Sequence, residues 1–506
     1  MATSVAPVRI VRVEPQDVTA MSRGLVQPNG DEIFQLSDTG HQIISFCILL
    51  VDIFELPESA SKAQVIATLI KGLECALGDH PELTGTMHFD NEAKRIVIKK
   101  PRAASAALHI KDATPTAGSS HVPSYAWLHK HDYPVHRLEI EQLVPAEAAS
   151  MPMIIAQDLD TPGPAVAAFQ ATYIEGGIII ASAISHQVCD GLGVDAFFTT
   201  WAAYSKAATT GEPAKLDGDV PPHTLFSAAT KPAPEEWENL KGKYPAMKYN
   251  TAPPPPPPAD FVPPVVKTRV FHFPRSKLEK LKAVCSVGLP SVEGIDFISS
   301  YDAISALWWR AMLRTKRPLM NLKDEDPTCA MHAVNMRKRA GGAPISARYI
   351  GSSVALPRSE TVTISQALGP RETALPLLAR IVRGVTRQVT PEYIKGQMDW
   401  AAGAPDLRYN ELDMPWVGAR DFTGFGWHDM KPYSMHDFGF GLPTGFRWPQ
   451  MAFDTFFFML PSRAGVKGAR PDEGIEVTFG VEESCFPRLE CDEELLAYCE
   501  QRGLGS

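Results

Sequence analysis

The feature that most constrains this chain is a run of six consecutive prolines inside the stretch NTAPPPPPPADFVPP, residues 250–264. Each proline fixes φ near about −65° and removes a backbone N–H, so the run can form neither a helix interior nor a central strand. It favours an extended polyproline II spacer. A proline tract can also dock a partner domain, but between two long flanking segments it reads as a linker. The preceding TKPAPEEWENLKGKYPAMKY reads as surface crossover rather than core. The chain therefore divides into an N-terminal half (1–225), a Pro-rich crossover (226–265) and a C-terminal half (266–506). A length of 506 residues is too great for one ordinary core, which suits such a division.

Apolar content of 44% and charged content of 21% are those of a soluble globular protein. A net charge of −9 argues against a nucleic-acid or membrane-surface binder, either of which would want a positive face. An anionic ligand must then find a local basic patch. The eight cysteines are scattered with no C-x-x-C pair, which suits reduced thiols in the cytoplasm better than a disulfide scaffold or a zinc site. The opening MATSVAPVRIVRVEPQD has no signal-peptide h-region. The longest apolar run, IISFCILLVDIF, is too short to span a bilayer, carries Asp52, and reads as a buried strand.

In the N-terminal half, Val65, Leu69, Leu73 and Leu77 recur every four residues and predict one buried helix face, ended by Pro81. RIVIKK and GGIIIASAIS read as strands, and VDAFFTTWAAYSKAA as an amphipathic helix. Between the last two lies SHQVCDGLG, with His186, Asp190, Gly191 and Gly193. His-x-x-x-Asp is expected roughly once by chance in a chain of this composition, so the spacing alone decides little. Its placement says more. A strand end is rigid, and a glycine turn after it leaves room for a ligand beside the imidazole. On these local facts His186 is a general base or a satisfied core histidine, and Asp190 polarises the ring or pairs with a structural arginine, the second being favoured.

In the C-terminal half, FISSYDAISALWWRAMLRTKR predicts a capped helix whose end carries Arg314, Lys316 and Arg317. HAVNMRKRAGGAPISARYIGSS reads as a strand followed by a basic, glycine-containing loop with Arg337, Lys338 and Arg339. MHDFGFGLPTGFRWP misses G-x-G-x-x-G, because Thr444 stands where the third glycine belongs. AFDTFFFMLPSR and GIEVTFGVEES read as buried strands, and DEELLAYCEQRG as a closing helix.

Taken in order, these segments resemble the CoA-dependent acyltransferases of the BAHD superfamily, in the fungal branch of trichothecene 3-O-acetyltransferase-like enzymes. LECALGDHPELTGTM resembles the family's early Leu…Pro-x-Leu-x-Gly segment, and SHQVCDGLG its His-x-x-x-Asp-Gly signature. VNMRKR…ARYIGSS resembles its Arg-x-Arg…Tyr-Phe-Gly-Asn stretch, with Ile350 and Ser352 as departures. DFGFG, Asp437 to Gly441, resembles Asp-Phe-Gly-Trp-Gly with Phe440 in place of tryptophan. The family's Thr-Ser-Trp is read here as Phe425-Gly426-Trp427, so the tryptophan is kept and the hydroxyl is not, although Thr423 is near. Two motifs in order, about 250 residues apart, turn a weak signal into a specific one.

The resemblance implies an α/β fold of two chloramphenicol-acetyltransferase-like domains with the active-site channel between them. It implies His186 as general base, Asp190 as its positioning partner paired with Arg337, and Trp427 as an oxyanion donor through its indole N–H. Gly191, Arg337, Asp437, Gly439 and Gly441 are implied to be structural. Arg314, Lys316, Arg317, Lys338 and Arg339 are the cations offered for the phosphates of coenzyme A. Acyl-CoA, acetyl-CoA by default, is the implied co-substrate and a small hydroxylated metabolite the acceptor, with no metal or bound cofactor, no nucleic-acid or membrane partner, and a cytoplasmic monomer. An N-acyltransferase, a carrier-protein-dependent condensation-type enzyme and a catalytically silent metabolite binder remain the alternatives. Ser185 argues against the condensation type, which carries a second histidine there.

Overall fold

The computed structural model describes residues 8–16, 24–43, 45–115, 122–145, 157–158, 161, 163–250, 262, 264–288, 294–413, 420–449 and 454–503. The expected polyproline II conformation of the proline run concerns residues outside these.

Apolar runs of the N-terminal half form β1 (Val8–Val13), β2 (Cys47–Glu55), β3 (Ala106–Asp112), β4 (Ala167–Ile174) and β5 (Gly177–Ser185). The C-terminal half supplies β6 (Val266–Phe273), β7 (Ala330–His332), β8 (Phe422–Gly426), β9 (Gly445–Arg447), β10 (Phe456–Met459), β11 (Ile475–Glu482) and β12 (Glu500–Arg502). One six-stranded mixed sheet runs β1-β3-β4-β5-β2-β9 and the other β7-β8-β10-β11-β6-β12. The first sheet thus takes a strand from the second half of the chain. β9 pairs antiparallel with β2, Gly445 opposite Ile53 and Arg447 opposite Val51. A division of the sequence near 225–265 is therefore not wholly a division of the sheets. A further five-stranded sheet from the N-terminal half includes Glu32–Gln35, Thr86–Asp90 and Arg95–Lys100.

Among the described residues the long helices are α1 (Lys62–Asp79), α2 (Gly191–Thr210), α3 (Ser300–Met320), α4 (Arg371–Gln388) and α5 (Pro391–Gly403). α1 begins at Ser61, whose side chain accepts the Gln64 N–H, and buries Val65, Leu69, Leu73 and Leu77 as their spacing predicts. Each such buried aliphatic side chain contributes about 1.5–3 kcal/mol. α1 and α2 approach closely. A Cβ on Gly72 would lie 2.0 Å from Ser205 Oγ, and the Trp201 indole donates to the Leu69 carbonyl at 2.9 Å. α3 opens on a reciprocal Ser299–Asp302 capping box and runs beyond its basic cluster to Met320.

Two expectations are corrected. The crossover before the prolines is not surface throughout: Trp237, Tyr244 and Met247 are buried. Trp237 donates its indole N–H to the Trp400 carbonyl of α5 at 2.8 Å, and Met247–Tyr249 pairs antiparallel with Asn410–Leu412. The tail forms only one helical turn, Glu493–Leu496, before β12 closes the free edge of β6. An open sheet edge beside an apolar core outcompetes a short isolated helix there.

Candidate active site

β5 ends at Ser185, whose carbonyl accepts the N–H groups of Val188 and Cys189, both at 3.0 Å. The chain turns there and enters α2 at Asp190. The His186 N–H donates to the Phe46 carbonyl at 2.7 Å, and the Phe46 ring meets the imidazole edge-on with centroids 5.0 Å apart. His186 is half-buried, and its Nδ1 is enclosed without a bond of hydrogen-bonding geometry, so the accessible edge is Nε2. Burial pushes its pKa below the ordinary value of 6.5, with only partial offset from the backbone of His186 and Cys189 and the charge of Asp190. The ring is neutral, the form that can accept a proton.

Asp190 turns away from the imidazole. Arg337 grips it in a two-pronged pair, Nη1 to Oδ2 at 2.8 Å and Nη2 to Oδ1 at 2.9 Å. Ser353 donates its N–H and hydroxyl to Oδ2 at 2.9 and 3.0 Å, and the Gly193 N–H donates to Oδ1 at 2.7 Å as the cap of α2. Burial alone would raise the carboxyl pKa; Arg337, with the backbone N–H groups of Ser353 and Gly193, more than offsets it and holds the group below its usual range. Asp190 thus caps the helix behind His186 and ties it to the C-terminal half. Gly191 follows because a Cβ there would lie 2.7 Å from Trp427 Nε1. Trp427 stacks on Trp448 at 5.0 Å and 5°, and its indole N–H has no hydrogen-bond partner among the described residues.

Two cavities adjoin here. The first, about 820 Å³ with its mouth, is lined by His186, Asp190, Gly191, Trp427 and a mainly aromatic wall. The second, about 1620 Å³ with its mouth, shares Leu192, Asn335 and Arg337 with it and carries Lys215, Lys338, Arg348 and Lys431. Of the five cations offered from sequence, Lys338 alone lines either of these two cavities, 3.3 Å from Asp429. The others are corrections. Arg314 is held by Asp492 and Glu494, Lys316 is buried against Asp454, and Arg317 pairs with Asp324. Arg339 lines neither cavity. Lys215, Lys431 and Asn335 were missed, since each is a single polar residue in a polar segment and only folding brings it to the site.

The glycine motif clamps a loop onto α2 and lines neither cavity. Asp437 accepts the N–H groups of Gly439 and Gly441 at 2.9 and 3.1 Å and pairs with Lys206 at 2.8 Å. Gly439 and Gly441 have φ of 96° and 107°, a region that favours glycine. Phe440, standing for tryptophan, packs edge-on against Phe54 at 5.2 Å. The Ile350 carbonyl lies where a Cβ on Gly193 would meet it at 1.9 Å, so that departure retains a close backbone approach. Thr423 is buried and lines neither cavity. Among the described residues no group of three or more His, Cys, Asp or Glu could hold a metal ion, and no helix is long and apolar enough to cross a membrane.

Fold and site together define a two-domain α/β protein with a neutral histidine in an aromatic cavity that adjoins a lysine-bearing one. A trichothecene 3-O-acetyltransferase-like N-terminal domain model matches residues 47–203, and a Transferase family model matches residues 138–480. The chain belongs to that transferase family, the BAHD acyltransferases, in its fungal trichothecene acetyltransferase-like branch, and is an acyltransferase. It is similar to acetyltransferase FGR3 of Gibberella zeae, 25% identical over 460 residues that cover 88% of this chain and 86% of the relative. It is 22% identical to the eremophilane O-acetyltransferase ORF8 of Penicillium roqueforti over 478 residues, 90% of this chain and 96% of the relative. The crystal structure of F. sporotrichioides TRI101 complexed with coenzyme A and T-2 shares the fold, with TM-score 0.71 at 19% identity over 93% of this chain and 99% of that one.

Proposed function

We propose that the protein transfers an acyl group, acetyl by default, from a coenzyme A thioester to a hydroxyl of a small secondary metabolite, with His186 as general base. The observation that carries this is the neutral imidazole with its Nε2 edge open in the aromatic cavity, which shares three lining residues with the lysine-bearing one. His186 Nε2 takes the hydroxyl proton as the oxygen attacks the thioester carbonyl. The tetrahedral oxyanion accepts from the Trp427 N–H. Collapse expels the CoA thiolate, which His186 reprotonates, and no bond to the enzyme forms. Asp190 and Arg337 hold the turn that carries His186. Lys215, Lys338 and Lys431 on the second cavity suit the phosphates of coenzyme A. The reading takes the protein as a cytoplasmic monomer of two domains, 1–225 and 266–506, with the reaction between them. The names of the acetyltransferase relatives and the coenzyme A in the TRI101 crystals support it.

The test is isotopically labelled acetyl-CoA offered to wild type and His186→Ala with panels of alcohols and amines, read by mass spectrometry. Label on an alcohol with wild type alone supports the proposal. Equal transfer by both proteins sinks the general-base role, and label on amines alone makes the enzyme an N-acyltransferase.

A further inference from the structure

The cavity at His186 is walled mainly by aromatic rings, and these walls face whatever molecule brings its hydroxyl to the imidazole. Phe46, Phe425, Trp427, Trp448, Phe456 and Phe458 line it. Trp427 lies parallel to Trp448 at 5.0 Å, Phe425 lies parallel to Phe458 at 4.7 Å, and Phe46 lies 24° from the Trp448 plane at 6.4 Å. Such flat, apolar faces favour a planar ring system.

The polar groups of the same walls are few and already committed. Both Asp190 oxygens are taken by Arg337, Ser353 and Gly193. Asn335 Oδ1 accepts the Arg337 N–H at 3.0 Å, which leaves its Nδ2 as a donor. Trp427 adds another donor. Once His186 has taken the reacting proton, the second lone pair of Asn335 Oδ1 is the one side-chain acceptor left among the described lining residues. A further hydroxyl buried here out of reach of that one oxygen gives up its bond to water without a replacement.

We infer that the acceptor is a planar, apolar ring system with a single reacting hydroxyl rather than a polyol. This rests on the acyl-transfer reading of the same cavity. An aromatic acyl group would present the same surface, and the choice of thioester separates the two sources.

The experiment titrates the wild-type chain calorimetrically, without thioester, with 2-naphthol, naphthalene-2,7-diol and the saturated 2-decalol. The expected order has 2-naphthol bound about tenfold more tightly than either of the others. Trp448→Leu is expected to bring 2-naphthol and 2-decalol close to equal. Equal or tighter binding of the diol or of 2-decalol to wild type overturns the inference, as does failure of 2-naphthol to bind. A second arm supplies acetyl-CoA or benzoyl-CoA with 2-naphthol. Acetylated naphthol supports the acceptor assignment. Benzoyl transfer to small alcohols with 2-naphthol refused assigns the aromatic surface to the acyl group and overturns it. The expected binding order with no transfer from either thioester sinks the acyl-transfer reading while leaving the ligand class standing.

Discussion

A histidine at the end of a buried strand loses basicity because the protein around it solvates a positive ring poorly, and that cause makes His186 testable by titration. Activity requires the unprotonated ring, so kcat/KM is expected to rise with pH through a midpoint below 6.5, the direction in which burial moves it. His186→Ala is expected to lower kcat/KM by about 10²–10⁴ while the circular dichroism spectrum stays that of wild type. Asp190 belongs to a different experiment. Asp190→Asn breaks a buried pair with Arg337 and is expected to cost about 3–5 kcal/mol in urea unfolding. The motif was legible in SHQVCDGLG, and Arg337 was legible through the resemblance. Lys215 and Lys431 of the second cavity were not, because no local pattern distinguishes a lysine that faces a cavity from one that faces water.

Elements with a strong period were legible and those set by a neighbour were not. The four-residue spacing of α1 and the β-branched run of β5 carry their burial in their own order. The one-turn helix before β12, and the buried Trp237 of the crossover, depend on a free sheet edge and on α5. The start of α2 offers the sharpest element-scale prediction. Gly193→Ala drives a Cβ to within 1.9 Å of the Ile350 carbonyl, a backbone atom that cannot swing aside. The expected outcome is a loss of about 1–3 kcal/mol, seen as a lower Tm, together with lower kcat because the turn holding His186 shifts.

Across the whole molecule, buried charges rivet the halves together. His436, just before the glycine motif, lies 2.7 Å from Asp52 on β2 and 3.3 Å from Asp195 on α2. Burial alone would strip its proton, but Asp52 and Asp195 push its pKa up to about 10. Its stabilisation is fully present below the unfolded value near 6.5 and is lost as pH rises through about 10. His41 works the other way. Burial lowers it to about 4, so an unfolded chain binds that proton first and stability falls as pH drops from 6.5 to about 4. Urea unfolding across this span is expected to show a stability maximum between the two limbs. His436→Gln should flatten the alkaline limb and cost about 3–5 kcal/mol at neutral pH. By itself the sequence determined the strand-turn-helix around His186, the principal strands and helices, and the family, because these depend on residue order and spacing. Only the tertiary structure decided that β9 crosses into the first sheet, that Arg314, Lys316 and Arg317 spend their charge inside the C-terminal half, and that the aromatic cavity at His186 adjoins a lysine-bearing one through Leu192, Asn335 and Arg337. Pairing partners and cavity walls come from residues hundreds of positions apart, and the energies that choose among them exist only once the chain has brought those residues together.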